Sequence, residues 1–376
     1  IGFAIPFAAG SSGAFVALIF SALWIVSPAF AWLVSRSAET EDRLVVSAED
    51  RQALRVAARR TWLFFETFVT EGDHWLPPDN FQETPHPVVA HRTSPTNISV
   101  YLLSTVAARD FGWIGMGEAI SRLEQTLDTI DKLDKFRGHI FNWYDTQTLQ
   151  PLHPRYISPV DNGHFAGHLV AIAAACDEWA MAPAAYMEGD FDGLLDVVTV
   201  LDETLDALPD DRRPLRPLRQ RLHDRIAGMR RAVEAIKREP EMAAVRTINL
   251  AVMAAEIRKL AAAVHQETES AASGDLSLWA EKLASACGAH VDDAHTDEAR
   301  IEDFRHRLKA LATRCRTIAF GMDFSFLLRE DRKLLSIGYR MADHQLDEAC
   351  YDLLASEARL ASLFSVAKGD VPTDHW

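Results

Sequence analysis

The sequence predicts a mainly helical fold, because three stretches place apolar residues at helical spacing and only one stretch has the pattern of a β-hairpin. Apolar residues recur every three or four positions over 54–68, 120–130 and 250–264. The hairpin is predicted where two apolar runs within 322–339 flank a charged turn. The predicted class is therefore all-α with a small β-hairpin.

Composition excludes several classes of function. The chain has 376 residues, of which 48% are hydrophobic, enough for one large core or two ordinary ones. Its net charge is −15 and it has no Lys/Arg block, which argues against a nucleic-acid partner. The four cysteines and fourteen histidines show no metal-ligand spacing, and no glycine-rich phosphate loop occurs. We therefore expect no metal, no cofactor and four buried thiols in a reducing compartment.

The N-terminal region is predicted to cross a membrane once. Residues 1–35 contain no Asp, Glu, Lys, Arg or His, and the apolar run over residues 14–34 could span a bilayer. A signal peptide is the alternative, since Ala29-Phe-Ala31 resembles a cleavage site, but no basic region precedes the run. Several arginines follow the span, so the positive-inside rule predicts that the following part is cytoplasmic.

Capping signals and breaks in the pattern predict the order of the later elements. Ser47 and Asp50 form a capping box, and Ser94-Pro95 predicts a helix over 95–110. Further helices are expected to end near Arg137-Gly138, to run over His164–Trp179, and to run from Tyr351 to about Lys368. Residues 210–306 predict a long antiparallel helical hairpin that packs on the same domain, with a partner-binding coiled coil as the alternative. The predicted divisions are a membrane segment and linker (1–43), a first domain part (44–209), a helical insertion (210–306) and a continuation (307–376).

Polar and aromatic residues gather on the loops between the first helices. Loops on a helical scaffold are where binding residues concentrate, and the connection over 139–162 is longer than usual. Aromatic rings cover the apolar faces of a sugar, and short polar groups bond its hydroxyls. The predicted sugar-binding residues are Asp79, Asn80, Gln82, Glu83, Arg92, Thr93, Asn142, Trp143, Tyr144, Asp145, Tyr156 and Asp161.

Carboxylates on these loops are candidates for glycosidic-bond chemistry. Two carboxyl groups about 5–5.5 Å apart would indicate retention, and about 6.5–9.5 Å inversion. Asp79, Glu83, Asp145 and Asp161 are the local candidates, and Asp145 and Asp161 are the two to test first, but the sequence does not identify the catalytic residues. The alternative for each is to bind sugar hydroxyls or to cap a loop.

Several motifs together resemble the central glycoside-hydrolase-like domain of bacterial cyclic β-1,2-glucan synthases. The motifs are Trp75-Leu-Pro-Pro-Asp-Asn-Phe-Gln-Glu83, Val89-Ala-His-Arg-Thr-Ser-Pro-Thr-Asn-Ile98, Asn142-Trp-Tyr-Asp145, Pro154-Arg-Tyr-Ile-Ser158, Met322-Asp-Phe-Ser-Phe326 and Tyr351-Asp-Leu-Leu-Ala-Ser-Glu-Ala-Arg-Leu360. The resemblance implies part of an (α/α)6 toroid that transglycosylates linear β-1,2-glucan into rings. It also implies a large enzyme of the bacterial inner membrane, in which a glucosyltransferase region precedes this domain and a phosphorylase-like region follows.

Departures from the family pattern bear on the chemistry. Ser99 stands where similar proteins often have Gly, and Asn162-Gly-His-Phe165 differs from the more usual Ser-Gly-Asn-Leu. The resemblance implies that the toroid continues beyond residue 376, and we expect the principal catalytic carboxylates there. We therefore expect little transglycosylation from this chain alone. A non-catalytic glycan-holding or scaffold module tethered to the membrane is the alternative function.

Overall fold

The computed structural model describes residues 10–35, 46–182, 190–209, 215–239, 243–352 and 357–376. The chain divides into two units, residues 1–51 and 52–376. Within the described residues there are eleven α-helices, and the β-strands are two residues long. The predicted mainly helical fold is confirmed.

The N-terminal unit contains the first predicted elements. Helix α1 runs over Gly10–Val34, and helix α2 runs over Ala48–Phe68 from this unit into the next. The Ser47 hydroxyl accepts the Asp50 N–H at 3.0 Å and donates to the Asp50 carboxylate at 2.7 Å, which confirms the predicted capping interaction. Across the described part of the chain, no helix combines the length and apolarity needed to cross a membrane, so the predicted span over residues 14–34 is not supported.

The remaining helices belong to the second unit. In chain order they are α3 (Pro95–Asp110), α4 (Met116–Lys132), α5 (Pro159–Met181), α6 (Asp192–Asp206), α7 (Arg216–Arg238), α8 (Ala243–Thr268), α9 (Ala271–Ala294), α10 (Glu298–Gly321) and α11 (Arg359–Lys368).

Two helical bundles with separate hydrophobic cores account for these helices. In the first bundle, α3 and α10 each pack against both α4 and α5, and α11 packs on the outside of α5. In the second bundle, α6 packs against α7 and α9, while α8 packs against α7 and α9. The second bundle lies in the chain between α5 and α10, which are partners in the first.

The second bundle differs from the predicted helical hairpin over 210–306. The heptad residues Leu250, Ile257 and Val264 lie on the buried face of α8, as their spacing indicates. The chain then breaks at Glu269, whose φ is 48°, and Ser270 caps α9 through a capping box. This break adds a helix that apolar periodicity alone did not separate, so the region before α10 contains three helices.

Three other helix boundaries differ from their predictions. Helix α4 ends at Lys132 instead of near Gly138, because the positive φ angles of Arg137 and Gly138 turn a short hairpin instead. Helix α5 begins at Pro159 instead of His164, since Ser158 caps it as Ser94 caps α3. Helix α11 begins at Arg359 and not at Tyr351, and residues 353–356 lie outside the described part of the chain.

Short strands fasten the loops to one another. The pairs are β1 (Phe81–Gln82) with β2 (Val88–Val89), β3 (Arg92–Thr93) with β6 (Tyr144–Asp145), β4 (Lys135–Phe136) with β5 (His139–Ile140), β8 (Leu328–Arg329) with β9 (Leu334–Leu335), and a sheet of β7 (Tyr156–Ile157), β10 (Tyr339–Arg340) and β11 (Gln345–Leu346). All pairs are antiparallel. The β8–β9 pair is the hairpin predicted around the charged turn.

A buried carboxylate joins α2 to α6 within the second unit. The Asp196 side chain is 0% exposed, and its Oδ2 lies 2.9 Å from Nη2 of Arg55. The indole Nε1–H of Trp113 donates to the same oxygen at 2.9 Å, and Gln52 donates to Oδ1 at 3.4 Å. The charge is therefore paired and hydrogen-bonded, which is what a buried carboxylate requires.

Candidate functional site

The predicted site residues lie on one surface, which we name the loop face: residues 71–93 and 139–158 with the N-terminal turns of α3 and α5. Strand β3 holds the two loops together through β6, with Arg92 opposite Asp145 and Thr93 opposite Tyr144. Ser94 caps α3 and Ser158 caps α5, each accepting a backbone N–H from the first turn. Both helix N-termini therefore begin at this surface.

Arg92 is held between a carboxylate and an indole ring. Its Nη2 and Nε atoms lie 2.9 Å and 3.1 Å from Oδ2 of Asp79. Its guanidinium carbon lies 5.0 Å from the centre of the Trp143 ring. The side chains of Asn80 and Asn97 donate to Asp79 at 3.0 Å and 3.3 Å. The cluster presents a fixed aromatic ring beside donors and acceptors, and Trp143 is 37% exposed.

Helix α4 anchors the start of this loop. His74 and Trp75 both have left-handed backbone angles, with φ of 53° and 60°. The Thr129 hydroxyl donates to the His74 carbonyl at 2.7 Å, and the Thr126 hydroxyl donates to the Trp75 carbonyl at 3.0 Å. These bonds hold a tight turn that is sparsely populated by residues other than glycine. The position of Asp79, four residues later, depends on this anchor.

A second buried carboxylate fastens the first loop to the second. Oδ1 of Asp73 accepts the Thr146 hydroxyl at 2.5 Å and lies 2.7 Å from Nδ1 of His91. Nδ1 of His74 lies 2.9 Å from the Thr146 carbonyl oxygen. Asp73 is 6% exposed, whereas the His91 side chain is 40% exposed. These hydrogen bonds lie beneath the loop face, and His91 lies at the edge of that surface.

Asp145 caps a turn at the end of β6. Its Oδ1 accepts N–H groups of Gln147 and Thr148 at 3.0 Å and 2.8 Å, and the Thr148 hydroxyl at 3.0 Å. Burial acts to raise the pKa of Asp145, but the bonds from Thr148 and Gln147 outweigh it and lower the pKa. An ionised, turn-capping carboxylate suits the loop-capping role more than that of a proton donor.

Asp161 lies in the first turn of α5 and faces α3. Its Oδ1 accepts the Thr96 hydroxyl at 2.6 Å, and its backbone N–H donates to Ser158. Thr96 is the neighbour of Asn97, which binds Asp79. The first turn of α3 therefore links Asp79 and Asp161.

Several predicted site residues support the loops from below. Tyr144 is 0% exposed, and its hydroxyl donates to the Asp134 carbonyl at 2.6 Å. Burial raises the pKa of Tyr144, so the phenol stays neutral. Thr93 is also 0% exposed, and Asn142 accepts the Ser158 N–H at 3.1 Å. Tyr144 and Thr93 therefore do not face solvent, and Asn142 holds the start of α5.

The remaining predicted residues lie at the margins of the loop face. Gln82 and Glu83 are exposed on the β1–β2 hairpin, whose Phe81 ring packs 4.8 Å from that of Phe68. The Tyr156 hydroxyl donates to Asp347 at 2.6 Å, which ties β7 to the strand sheet. Burial and the neighbouring Asp347 carboxylate raise the pKa of Tyr156.

Two residues that contribute to the site were absent from the prediction. Asn97 holds Asp79, and His91 holds Asp73, yet neither was among the predicted binding residues. Both lie in the same motif as Arg92, so their place on the loop was visible. The signal for Asn97 was its position in the first turn after the Ser94 cap, which points its side chain towards the loops.

Comparisons with known proteins bear on this surface. No family model matches the chain. It is 57% identical over 362 residues to the cyclic beta-(1,2)-glucan synthase NdvB of Rhizobium meliloti strain 1021, covering 96% of this chain and 13% of that protein. A crystal structure of a putative glucoamylase from Bacteroides fragilis aligns with 42% of this chain and 36% of its own, at 18% identity and a TM-score of 0.30, which is too low to assign the fold. The chain is therefore identified as related to a segment of the cyclic β-1,2-glucan synthases, which confirms the resemblance that its motifs indicate.

Proposed function

We propose that the loop face binds β-1,2-linked glucan and that this chain is the glycan-binding part of a cyclic β-1,2-glucan synthase. The observation that carries the proposal is the arrangement of Arg92, Asp79 and Trp143. The Trp143 ring, which is 37% exposed, offers a stacking surface, and beside it lie a guanidinium, a carboxylate and two amides. Such a surface suits a ligand with apolar C–H faces and many hydroxyls.

The proposed chemistry is transglycosylation of linear glucan, performed by a longer polypeptide to which this chain contributes one wall. Asp161 is the better of the two carboxylates to test first, because Asp145 is committed to capping its turn. In this proposal the first bundle is part of an (α/α)6 toroid, and the bacterial inner membrane with a cytoplasmic domain stays a prediction. The non-catalytic, glycan-holding role is the alternative, and the Asp145 contacts favour it for that residue.

Calorimetric titration with linear β-1,2-glucan tests the binding proposal. Trp143→Ala should weaken binding by about 1–3 kcal/mol, since it removes the aromatic contact. Trp143→Phe keeps a ring and should retain most of the affinity.

Trp376→Ala is the matched control, because Trp376 is 65% exposed and lies outside the loop face. Equal affinities for wild type and Trp143→Ala would remove the loop face from glucan binding. Activity decides between the two roles: loss of ring formation by the longer enzyme in Asp161→Asn, with glucan affinity unchanged, is expected for a catalytic residue.

A further inference from the structure

A cavity of about 510 Å³ lies between α4, α9 and α10, where the two bundles meet. Its volume is within the range of small-molecule sites. Helix α3 begins at the loop face and ends just before the turn that leads to this cavity. Sixteen residues at 1.5 Å each separate the two ends of α3 by about 24 Å. The cavity is therefore remote from the loop face.

Glycine keeps one wall of the cavity open. Gly288 lies in the interior of α9, where a glycine costs roughly 0.5–1 kcal/mol relative to alanine. A Cβ atom built at Gly288 would meet nothing within 4 Å. Packing therefore does not explain the glycine, since alanine would fit and stabilise the helix. The cavity is therefore open beside the helix backbone at this position.

The charges on the wall are of both signs. Carboxyl groups come from Glu118, Asp292, Asp293 and Asp303, and guanidinium groups come from Arg300 and Arg307. A strongly charged ligand of either sign would meet like charges here, each repelling it. A neutral ligand that both donates and accepts hydrogen bonds would not.

Some of these groups are already paired and others are available. Arg307 binds Glu124 at 2.6 Å and lies 3.5 Å from Asp303. Within the described residues, Asp292 and Arg300 make no side-chain ion pair, so an acceptor on α9 and a donor on α10 remain in the wall of the cavity. The Arg300 guanidinium lies 5.4 Å from the centre of the Phe304 ring, which limits its motion.

Asp293 forms the floor where α4 begins. Both of its carboxylate oxygens lie 3.2 Å from the backbone nitrogen of Met116, at the first turn of α4. A Cβ atom at Gly115 would lie 3.2 Å from Oδ1 of Asp293, so glycine lets the carboxylate approach this helix end. The floor is thus held by the fold and does not depend on a ligand.

We propose that this cavity is a second carbohydrate site, which takes a neutral sugar unit beside Asp292 and Arg300. The mixed charges, the glycine wall and the volume carry the assignment to a sugar. Its identification as a unit of β-1,2-glucan rests on the proposed function. A glucan chain bound here would lie about 24 Å from the loop face, which is the length of α3.

Titration of the whole chain with β-1,2-linked glucobiose and with longer linear β-1,2-glucan tests the second site. Gly288→Leu places a branched side chain in the cavity and should weaken binding there at least about tenfold. Gly288→Ala is the matched control, since its methyl group meets open space, and should bind within about twofold of wild type. Asp292→Asn keeps the shape of an exposed residue and should weaken binding about tenfold by removing a charged acceptor.

If Gly288→Leu lowers the unfolding temperature, the test rests on Asp292→Asn alone. Wild-type sugar affinity in Asp292→Asn would then overturn the proposal. Wild-type affinity in a stable Gly288→Leu also overturns it, as does an absence of sugar binding by the unmodified chain. Trp143→Ala in the same titration separates the two sites. If Gly288→Leu loses one binding event and Trp143→Ala loses none, glucan binds in the cavity and does not bind at the loop face.

Discussion

Replacing Asp196 with alanine should destabilise the second unit, because it removes the fully buried carboxylate that Arg55 and Trp113 share. Arg55 would lose an ion pair at 2.9 Å, and Trp113 would lose the acceptor of its indole N–H. Removing one partner of a buried pair typically costs about 3–5 kcal/mol. An unsatisfied indole donor costs about 1–3 kcal/mol, but the two losses share one carboxylate and do not add. Because Asp190 stays 3.6 Å from Arg55, we expect a loss at the lower end of this range, about 3 kcal/mol in the free energy of unfolding.

The matched control is Glu203→Ala on the same helix. Glu203 pairs with Arg60 at 2.6 Å and so also joins α6 to α2, but both side chains are about half exposed. Exposed pairs contribute about 0–1 kcal/mol. Urea unfolding followed by tryptophan fluorescence and by circular dichroism measures both variants. A loss below about 1 kcal/mol for Asp196→Ala, or equal losses in the two variants, would refute the reasoning from burial.

Two further predictions concern a pKa and a glycine. Burial raises the pKa of Asp293 to about 6, despite the opposing effects of Arg109 and the Met116 N–H. The folded state then binds a proton more tightly than the unfolded state, so stability should fall by roughly 2–3 kcal/mol as pH rises from about 4 to about 6. Asp293→Asn should flatten this pH dependence of the urea midpoint, whereas Asp292→Asn, which removes a like charge that helps to raise the pKa of Asp293, should only weaken it. An unchanged slope in Asp293→Asn would contradict the assignment. Gly338→Ala should cost about 1–3 kcal/mol, because its Cβ would lie 2.1 Å from the Tyr156 ring, whereas Gly321→Ala meets open space and should be neutral in the same thermal melts.

Local signals in the sequence predicted the elements that depend on local chemistry. The start of α3 follows from Ser94 and Pro95, because an N-cap and a proline at the first turn act within four residues. The same pair, Ser158 and Pro159, begins α5, and the prediction missed it by treating the long connection as loop. The boundary was therefore predictable, whereas the partners of α5 were not, since α10 lies more than a hundred residues later.

The composition of the site was more predictable than its geometry. Asp79, Arg92 and Trp143 were all recognised by residue type, but their contact depends on the turn that α4 holds at His74 and Trp75. Tyr144 illustrates the opposite case. An aromatic residue on a loop is the residue type expected to stack on a sugar, yet here the ring is buried and its hydroxyl donates to the Asp134 carbonyl. The burial of a side chain depends on residues that are distant in sequence, so a local sequence pattern does not reveal it.

The position of the second bundle in the chain has a consequence for folding order. The Arg305 guanidinium near the start of α10 donates to the Ala182 carbonyl at the end of α5 at 3.4 Å, so the inserted bundle leaves the first one close to where it departed. Closing an unstructured connection of roughly a hundred residues, instead of about ten, costs about 2 kcal/mol more in chain entropy. A bundle that has already folded brings these ends together and removes most of that cost. Early folding of the second bundle would therefore speed the docking of α10 on α5.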